Sequence, residues 1–255
     1  MLRALPCWSE RLVNIRIFDS EQEAAGACAR RIASAVAARP SLVLGLPTGR
    51  TPLNVYRGLV ELFRQGQLDL SQVRTFNLDE FLGVSAEDGG SYRAYMERHL
   101  FQHVNLAPEH IHFLDGTAAD AEAECARYDA RLHEVGGLDL LLLGLGANGH
   151  LAFNEPADGL RARSHRVRLN RETREANAMF FGDDAARVPL EALTLGMAGI
   201  FQARKAVLLA LGESKAAAVR AMVQGPVSPR CPASFLQLHP DAEVWLDPAA
   251  ARALG

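Results

Sequence analysis

The chain has 255 residues, enough for one large α/β domain or two small ones. Its 49% hydrophobic content can bury a sizeable core, and its formal charge of −3 offers no overall attraction to nucleic acid or to an anionic membrane. Cys7, Cys28, Cys125 and Cys231 show no C-x-x-C pair and no framework spacing, the opening residues lack the apolar stretch of a signal peptide, and no run approaches the roughly 18 apolar residues of a membrane span. A cytoplasmic protein with free thiols is the expectation.

Strands and helices alternate along the chain. Glu21 to Ala37 is Ala-rich and amphipathic, hence helical, and Ser41 to Leu46 is a short apolar strand. Pro52 opens a helix to about Gln65, since proline suits a first helical turn. Val73 to Asn77 reads as strand, and Tyr92 to Phe101 and Ala119 to Val135 as helices. Leu138 to Leu143 is a continuous apolar strand, the pattern of burial on both faces. Val188 to Ala203 reads as helix, Ala206 to Leu211 as strand, Lys215 to Gln224 as helix and Ala242 to Leu246 as a last strand. This alternation predicts an α/β fold: an open, mainly parallel, Rossmann-like sheet with helices on both faces, in a single domain over residues 1–255. Residues 159–187 are polar and poorly periodic, and are the candidate lid.

The chemistry concentrates where strands end. Leu140 to Leu143 empties into Gly144, Gly146 and Gly149, then His150 and Glu155. Glycines let backbone N–H groups approach a ligand, histidine titrates near neutrality, and a nearby carboxylate orients it and raises its basicity. Gly144 to Gly149 also matches G-x-G-x-x-G, but a dinucleotide site needs a helix directly after it. Asn154, Pro156, Asp158 and Gly159 interrupt any helix there.

Other strand ends are suggestive. Pro47-Thr48-Gly49-Arg50-Thr51 joins a strand to a helix, where free N–H donors and hydroxyls suit an anion. A plain turn capped by Thr51 reads equally well. Asp79 and Glu80 follow the next strand, and the residues alone favour neither as the chemical one. Lys215 could reach a phosphate from the sheet edge or sit exposed at a helix start. His110-Ile111-His112 lacks a third ligand of suitable spacing for a metal site.

Taken together, LGLPTGRTP, TFNLDEFLGV with SYRAYMERHLF, LLGLGANGHLAFNEP, ALGESKA and FLQLHP resemble the glucosamine-6-phosphate deaminase family. The wider superfamily includes the 6-phosphogluconolactonases, but Phe153-Asn154-Glu155-Pro156 has the deaminase form. The resemblance implies conversion of glucosamine 6-phosphate, a hexosamine 6-phosphate, and water to fructose 6-phosphate and ammonia, with no cofactor and no metal. A 6-phosphogluconolactonase and a catalytically weak sugar-phosphate-binding protein are the alternatives. It implies Asp79 as the base moving a proton from C2 to C1, His150 as the ring-opening group and Glu155 as its support. Asn148 stands where many members carry an assisting aspartate. Thr48, Gly49, Arg50, Thr51, Glu80, Gly146 and Lys215 fall at substrate-binding positions. Met179 stands where the family pattern has a phosphate-binding arginine, and Arg50 where glycine or serine is usual. Asp158, His165 and Val167 fall at the family's effector positions without its donors, so activation by N-acetylglucosamine 6-phosphate is not expected. A homo-oligomer is left open.

Overall fold

The computed structural model describes residues 13–255. Cys7 and the opening stretch read for a leader lie outside them. In chain order the elements are β1 (Asn14–Ile17), α1 (Glu21–Ala38), β2 (Val43–Leu46), α2 (Leu53–Arg64), β3 (Arg74–Asn77), β4 (Asp79–Phe81), α3 (Tyr92–His99), β5 (Ile111–His112) and α4 (Ala121–Glu134). Then follow β6 (Leu140–Leu143), β7 (His165–Arg168), α5 (Arg171–Asn177), β8 (Glu191–Thr194), α6 (Met197–Phe201), β9 (Ala206–Ala210), α7 (Ala216–Gln224), β10 (Ala242–Leu246) and α8 (Pro248–Ala251).

Seven strands form one parallel sheet in the order β1-β10-β9-β6-β2-β3-β5. Side chains alternate across it. Leu140 and Leu142 enter the core shared with α1 and α2, while Leu141 and Leu143 enter the one shared with α4 and α7. Each buried leucine contributes about 1.5–3 kcal/mol relative to exposure. Helix starts are capped by the expected side chains: Ser20 accepts from Glu23 N, Ser91 from Ala94 N, and Asp120 from Glu122 N and Ala123 N.

The strand order decides where a ligand fits. From β2 the chain steps outward through β3 to β5, then returns to the other side of β2 as β6 and continues to β9 and β10. The loops after β2 and β6 therefore leave in opposite directions, which opens a crevice at their carboxyl ends.

The structure corrects some expectations. Residues 188–203 are not one helix but β8 followed by the short α6. Pro189 and Gly196 bracket the strand, and β8 pairs antiparallel with both β4 and β7 in a second, three-stranded sheet. Its Ala192 and Leu193 are fully buried in different cores, so two-sided burial overrides the helical spacing of the apolar residues. The short strands β1, β4, β5 and β7 also escaped the sequence reading. Residues 159–187 carry β7 and α5 within their polar composition. Helix α2 starts at Leu53 rather than Pro52, and Lys215 precedes α7 in a 3₁₀ turn.

Candidate active site

Four loops meet the crevice at the carboxyl edge: those after β2, β3, β6 and β9. The loop after β6 holds the densest chemistry. It folds back on itself, with Gly146 N donating to His150 O at 3.0 Å and Gly149 N to Gly146 O at 3.0 Å. A Cβ on Gly146 would stand 2.5 Å from three imidazole carbons of His150, so only glycine lets the ring lie there. Gly149 takes the left-handed region at φ 88°, and no helix follows, which removes the dinucleotide reading. The buried Asn154 amide donates to Leu151 O and Leu195 O, anchoring the far side of the turn on β8's end.

Glu155 faces His150, with Oε2 at 3.5 Å from Nδ1. Asn148 Nδ2 donates to the same oxygen at 2.8 Å, and Asn170 donates twice, Nδ2 to Oε2 at 3.1 Å and backbone N to Oε1 at 3.2 Å. Burial raises the carboxyl pKa, but His150, Thr173 and Asn148 outweigh it and hold it at about 2. Glu155 is therefore an anion at neutral pH, able to polarise the imidazole. Asn148 also accepts from His150 N at 3.2 Å.

Asp79 and Glu80 are successive residues of β4 and point to opposite sides. Glu80 belongs to α3: it accepts from Phe81 N, Tyr92 N and Arg93 N, each at 2.9 Å. Both its oxygens accept backbone N–H groups, so Glu80 ties the start of α3 to the strand that carries Asp79. Asp79 is 6% exposed, and burial, reinforced by the charge of Glu80, pushes its carboxyl well above the ordinary range. A desolvated carboxylate of this kind is a stronger base.

In the loop after β2, Gly49 takes φ 114°, Tyr95 Oη donates to Gly49 O at 2.6 Å and Tyr56 Oη donates to Pro47 O. Two buried tyrosines thus pin the loop's carbonyls from behind. Among the described residues no side chain caps α2, so the reading of Thr51 as its cap is corrected, and no described side chain accepts from the first-turn N–H groups. Arg50 reaches across to residues 159–187, its Nε 3.1 Å from Met179 Sδ. At the end of β9, burial holds the Lys215 ammonium below the usual lysine range, with no carboxylate beside it among the described residues.

Helix α5 and its flanks touch the loops after β2 and β6 and the start of α3. Asn170 meets Glu155, the Thr173 hydroxyl lies 3.4 Å from His150 Nδ1, Asn177 Oδ1 accepts from Tyr92 Oη at 2.7 Å, and Met179 meets Arg50. Asn170 and Thr173 escaped the sequence reading: within a polar, weakly periodic stretch, no spacing tied them to His150. His110 and His112 lie elsewhere, at β5 on the sheet's edge. His112 packs on Phe76 with ring centroids 4.5 Å apart, and burial pushes its imidazole down to about 4. Among the described residues no three His, Cys, Asp or Glu side chains gather as a metal site, and no helix is long and apolar enough to cross a membrane.

Known proteins share this arrangement of the chain. Residues 19–245 match the family described as glucosamine-6-phosphate isomerases/6-phosphogluconolactonase. The chain is 49% identical to glucosamine-6-phosphate deaminase 1 of Giardia intestinalis over 219 residues, 86% of this chain and 82% of the relative. It is 43% identical to the glucosamine-6-phosphate deaminase of Halothermothrix orenii over 242 residues, 95% of this chain and 100% of the relative. A solved monomeric glucosamine-6-phosphate deaminase matches with a TM-score of 0.92 at 40% identity, covering 94% of this chain and 100% of that one. A 6-phosphogluconolactonase from Trypanosoma cruzi, at 20% identity and a TM-score of 0.75 over 96% of this chain and 97% of that one, shares the fold. The chain belongs to the glucosamine-6-phosphate isomerase/6-phosphogluconolactonase family.

Proposed function

We propose that the chain converts glucosamine 6-phosphate and water to fructose 6-phosphate and ammonia. The observation that carries this reading is the meeting of two differently placed carboxyl groups at the end of β8: Asp79 pairs with Thr194, whose hydroxyl accepts from Phe153 N in the turn that leads to Glu155, and Glu155 faces His150. Glu155 is held down at about 2 beside His150, while Asp79 is pushed up by burial. Two acid/base groups set apart in this way suit two successive proton transfers.

The first transfer opens the sugar ring. His150 takes the proton from the C1 hydroxyl and returns one to the ring oxygen as the C1 carbonyl forms, with Glu155 stabilising the imidazolium in between. Asp79 then removes the C2 proton of the open chain while O1 takes up a proton given by the C2 ammonium, giving an enolamine, and Asp79 delivers its proton to C1. The resulting C2 iminium adds water and expels ammonia, leaving the C2 ketone. Only proton transfers and water are needed, so the reading calls for no cofactor and no metal.

Thr48, Gly49, Arg50, Thr51 and Lys215 hold the phosphate in this reading, through backbone N–H groups, hydroxyls and two cations. Gly146 keeps room for the imidazole. Residues 159–187 act as the lid, bringing α5 over the sugar. The test is ammonia release from a panel of hexosamine 6-phosphates, with 6-phosphogluconolactone hydrolysis followed in parallel. Ammonia from glucosamine 6-phosphate supports the reading; lactone hydrolysis without ammonia from any hexosamine overturns it.

A further inference from the structure

His150 Nδ1 has two side-chain oxygen neighbours: Glu155 Oε2 at 3.5 Å and the Thr173 hydroxyl at 3.4 Å. Thr173 is 2% exposed, so its hydroxyl cannot turn to bulk water. Its backbone carbonyl is already served by Asn177 Nδ2 at 2.8 Å. A buried hydroxyl left unpaired is costly, and threonine is a poorer helix former than alanine. The residue therefore disfavours α5 locally unless the hydroxyl is used. Glu155 can serve as the acceptor for the hydroxyl's own proton, which helps keep that carboxylate ionised. The hydroxyl oxygen is then left to accept from the imidazole.

We infer that Thr173 is a positioning residue: its hydroxyl and Glu155 together accept from His150 Nδ1–H, which fixes the tautomer and leaves Nε2 unprotonated to act on the sugar. Nδ1 is the imidazole nitrogen with protein partners among the described residues. The tautomer of a histidine is set by the hydrogen bond its other nitrogen makes. Because Thr173 sits on α5, inside residues 159–187, the arrangement is complete only when that helix is seated over the crevice. Met179, two residues beyond the end of the same helix, meets Arg50, so the phosphate end and the ring-opening end of the crevice are spanned by one short element. This inference rests on the acid/base role of His150 proposed above.

The experiment is 15N NMR of protein labelled at histidine, with the His150 signals identified by their loss in His150→Gln. The unaltered protein should show Nδ1 protonated and Nε2 unprotonated. Thr173→Ser should keep that pattern and stay within about threefold of the parental kcat. Thr173→Val, which keeps the shape and removes the hydroxyl, should give a mixture of tautomers and lower kcat by about tenfold or more, with KM nearly unchanged, as expected for impaired acid/base catalysis. A protonated Nε2 in the unaltered protein overturns the inference. So does a Thr173→Val protein with parental tautomer and kcat, or a Thr173→Ser protein that loses as much activity as the valine variant. If Thr173→Val does not fold, the tautomer of the unaltered protein and the serine variant still decide. If the parental protein releases no ammonia, the proposed reaction fails, while the tautomer comparison still tests the role of Thr173.

Discussion

Arg50 Nε lies 3.1 Å from Met179 Sδ, joining the loop after β2 to the segment that carries α5. A thioether is a weak acceptor, so the contact leaves the guanidinium fork available to grip two phosphate oxygens. Arg50→Ser should lower kcat/KM for glucosamine 6-phosphate by roughly ten- to hundredfold, the equivalent of about 1.5–3 kcal/mol for a charged hydrogen bond. The two side chains touch, so their effects should couple. Adding Met179→Arg should recover much of the loss by returning a guanidinium from the opposite side. Steady-state kinetics of the single and double variants check this, and an unaltered kcat/KM in Arg50→Ser rejects it.

Asp79→Asn should abolish exchange of the C2 proton with solvent, since no carboxylate remains to abstract it. The same change should stabilise the fold at alkaline pH. The folded-state pKa of Asp79 is raised above its ordinary 3.8, so its contribution is most favourable below 3.8 and erodes as pH rises. A neutral asparagine removes that penalty. The variant should gain about 0.5–2 kcal/mol at pH 8, the common size of such functional-site trade-offs, and less at pH 5. Deuterium incorporation at C2 and urea midpoints at the two pH values test both halves.

Asn148→Asp should move the acid limb of the kcat/KM profile to higher pH. An aspartate would bring a second carboxylate to a position where the amide now donates to Glu155 at 2.8 Å. Two carboxylates so close share a proton, which lifts the Glu155 pKa from about 2. A depressed carboxylate stabilises the fold above its ordinary 4.5 and loses that contribution as pH falls toward 2. The variant should therefore melt earlier than the parent at pH 7, with the gap narrowing at pH 4.

Gly146→Ala should cost activity out of proportion to stability. The added methyl would overlap the imidazole of His150, which must swing aside. A displacement of about 1 Å can cost about a hundredfold in rate, while overpacking costs about 1–3 kcal/mol. A folded variant with parental kcat would sink the assignment of this ring position.

N-acetylglucosamine 6-phosphate should leave the kinetics hyperbolic and unchanged. Asp158 is paired with Arg230, and His165 is 8% exposed, with burial pushing its imidazole below the ordinary range and its Nδ1 2.9 Å from Arg163 O. Neither offers a free donor to a phosphate, and a ligand shifts an equilibrium only by differential affinity. Sigmoidal curves that this ligand makes hyperbolic would refute the prediction.

Local pattern carried much of the architecture. The Leu140–Leu143 run, the amphipathic α1 and the glycines before His150 are short-range signals, because burial on both faces, helical period and backbone freedom are each written into a few neighbouring residues. The order of the motifs likewise marked the loops that meet at the crevice. What those residues could not decide was which side chain faces which partner. Asp79 and Glu80 are equivalent as text, and only the pleat of β4, with α3 waiting on one side, assigns Glu80 to the backbone and leaves Asp79 buried apart. The helical spacing in 188–203 yielded to pairing with β4 and β7, which are distant in sequence. Thr173 and Asn170 acquire meaning only when α5 lies over the loop after β6, and Met179 gains its partner Arg50 in the same way, since contacts made between distant segments depend on the packing of the whole chain.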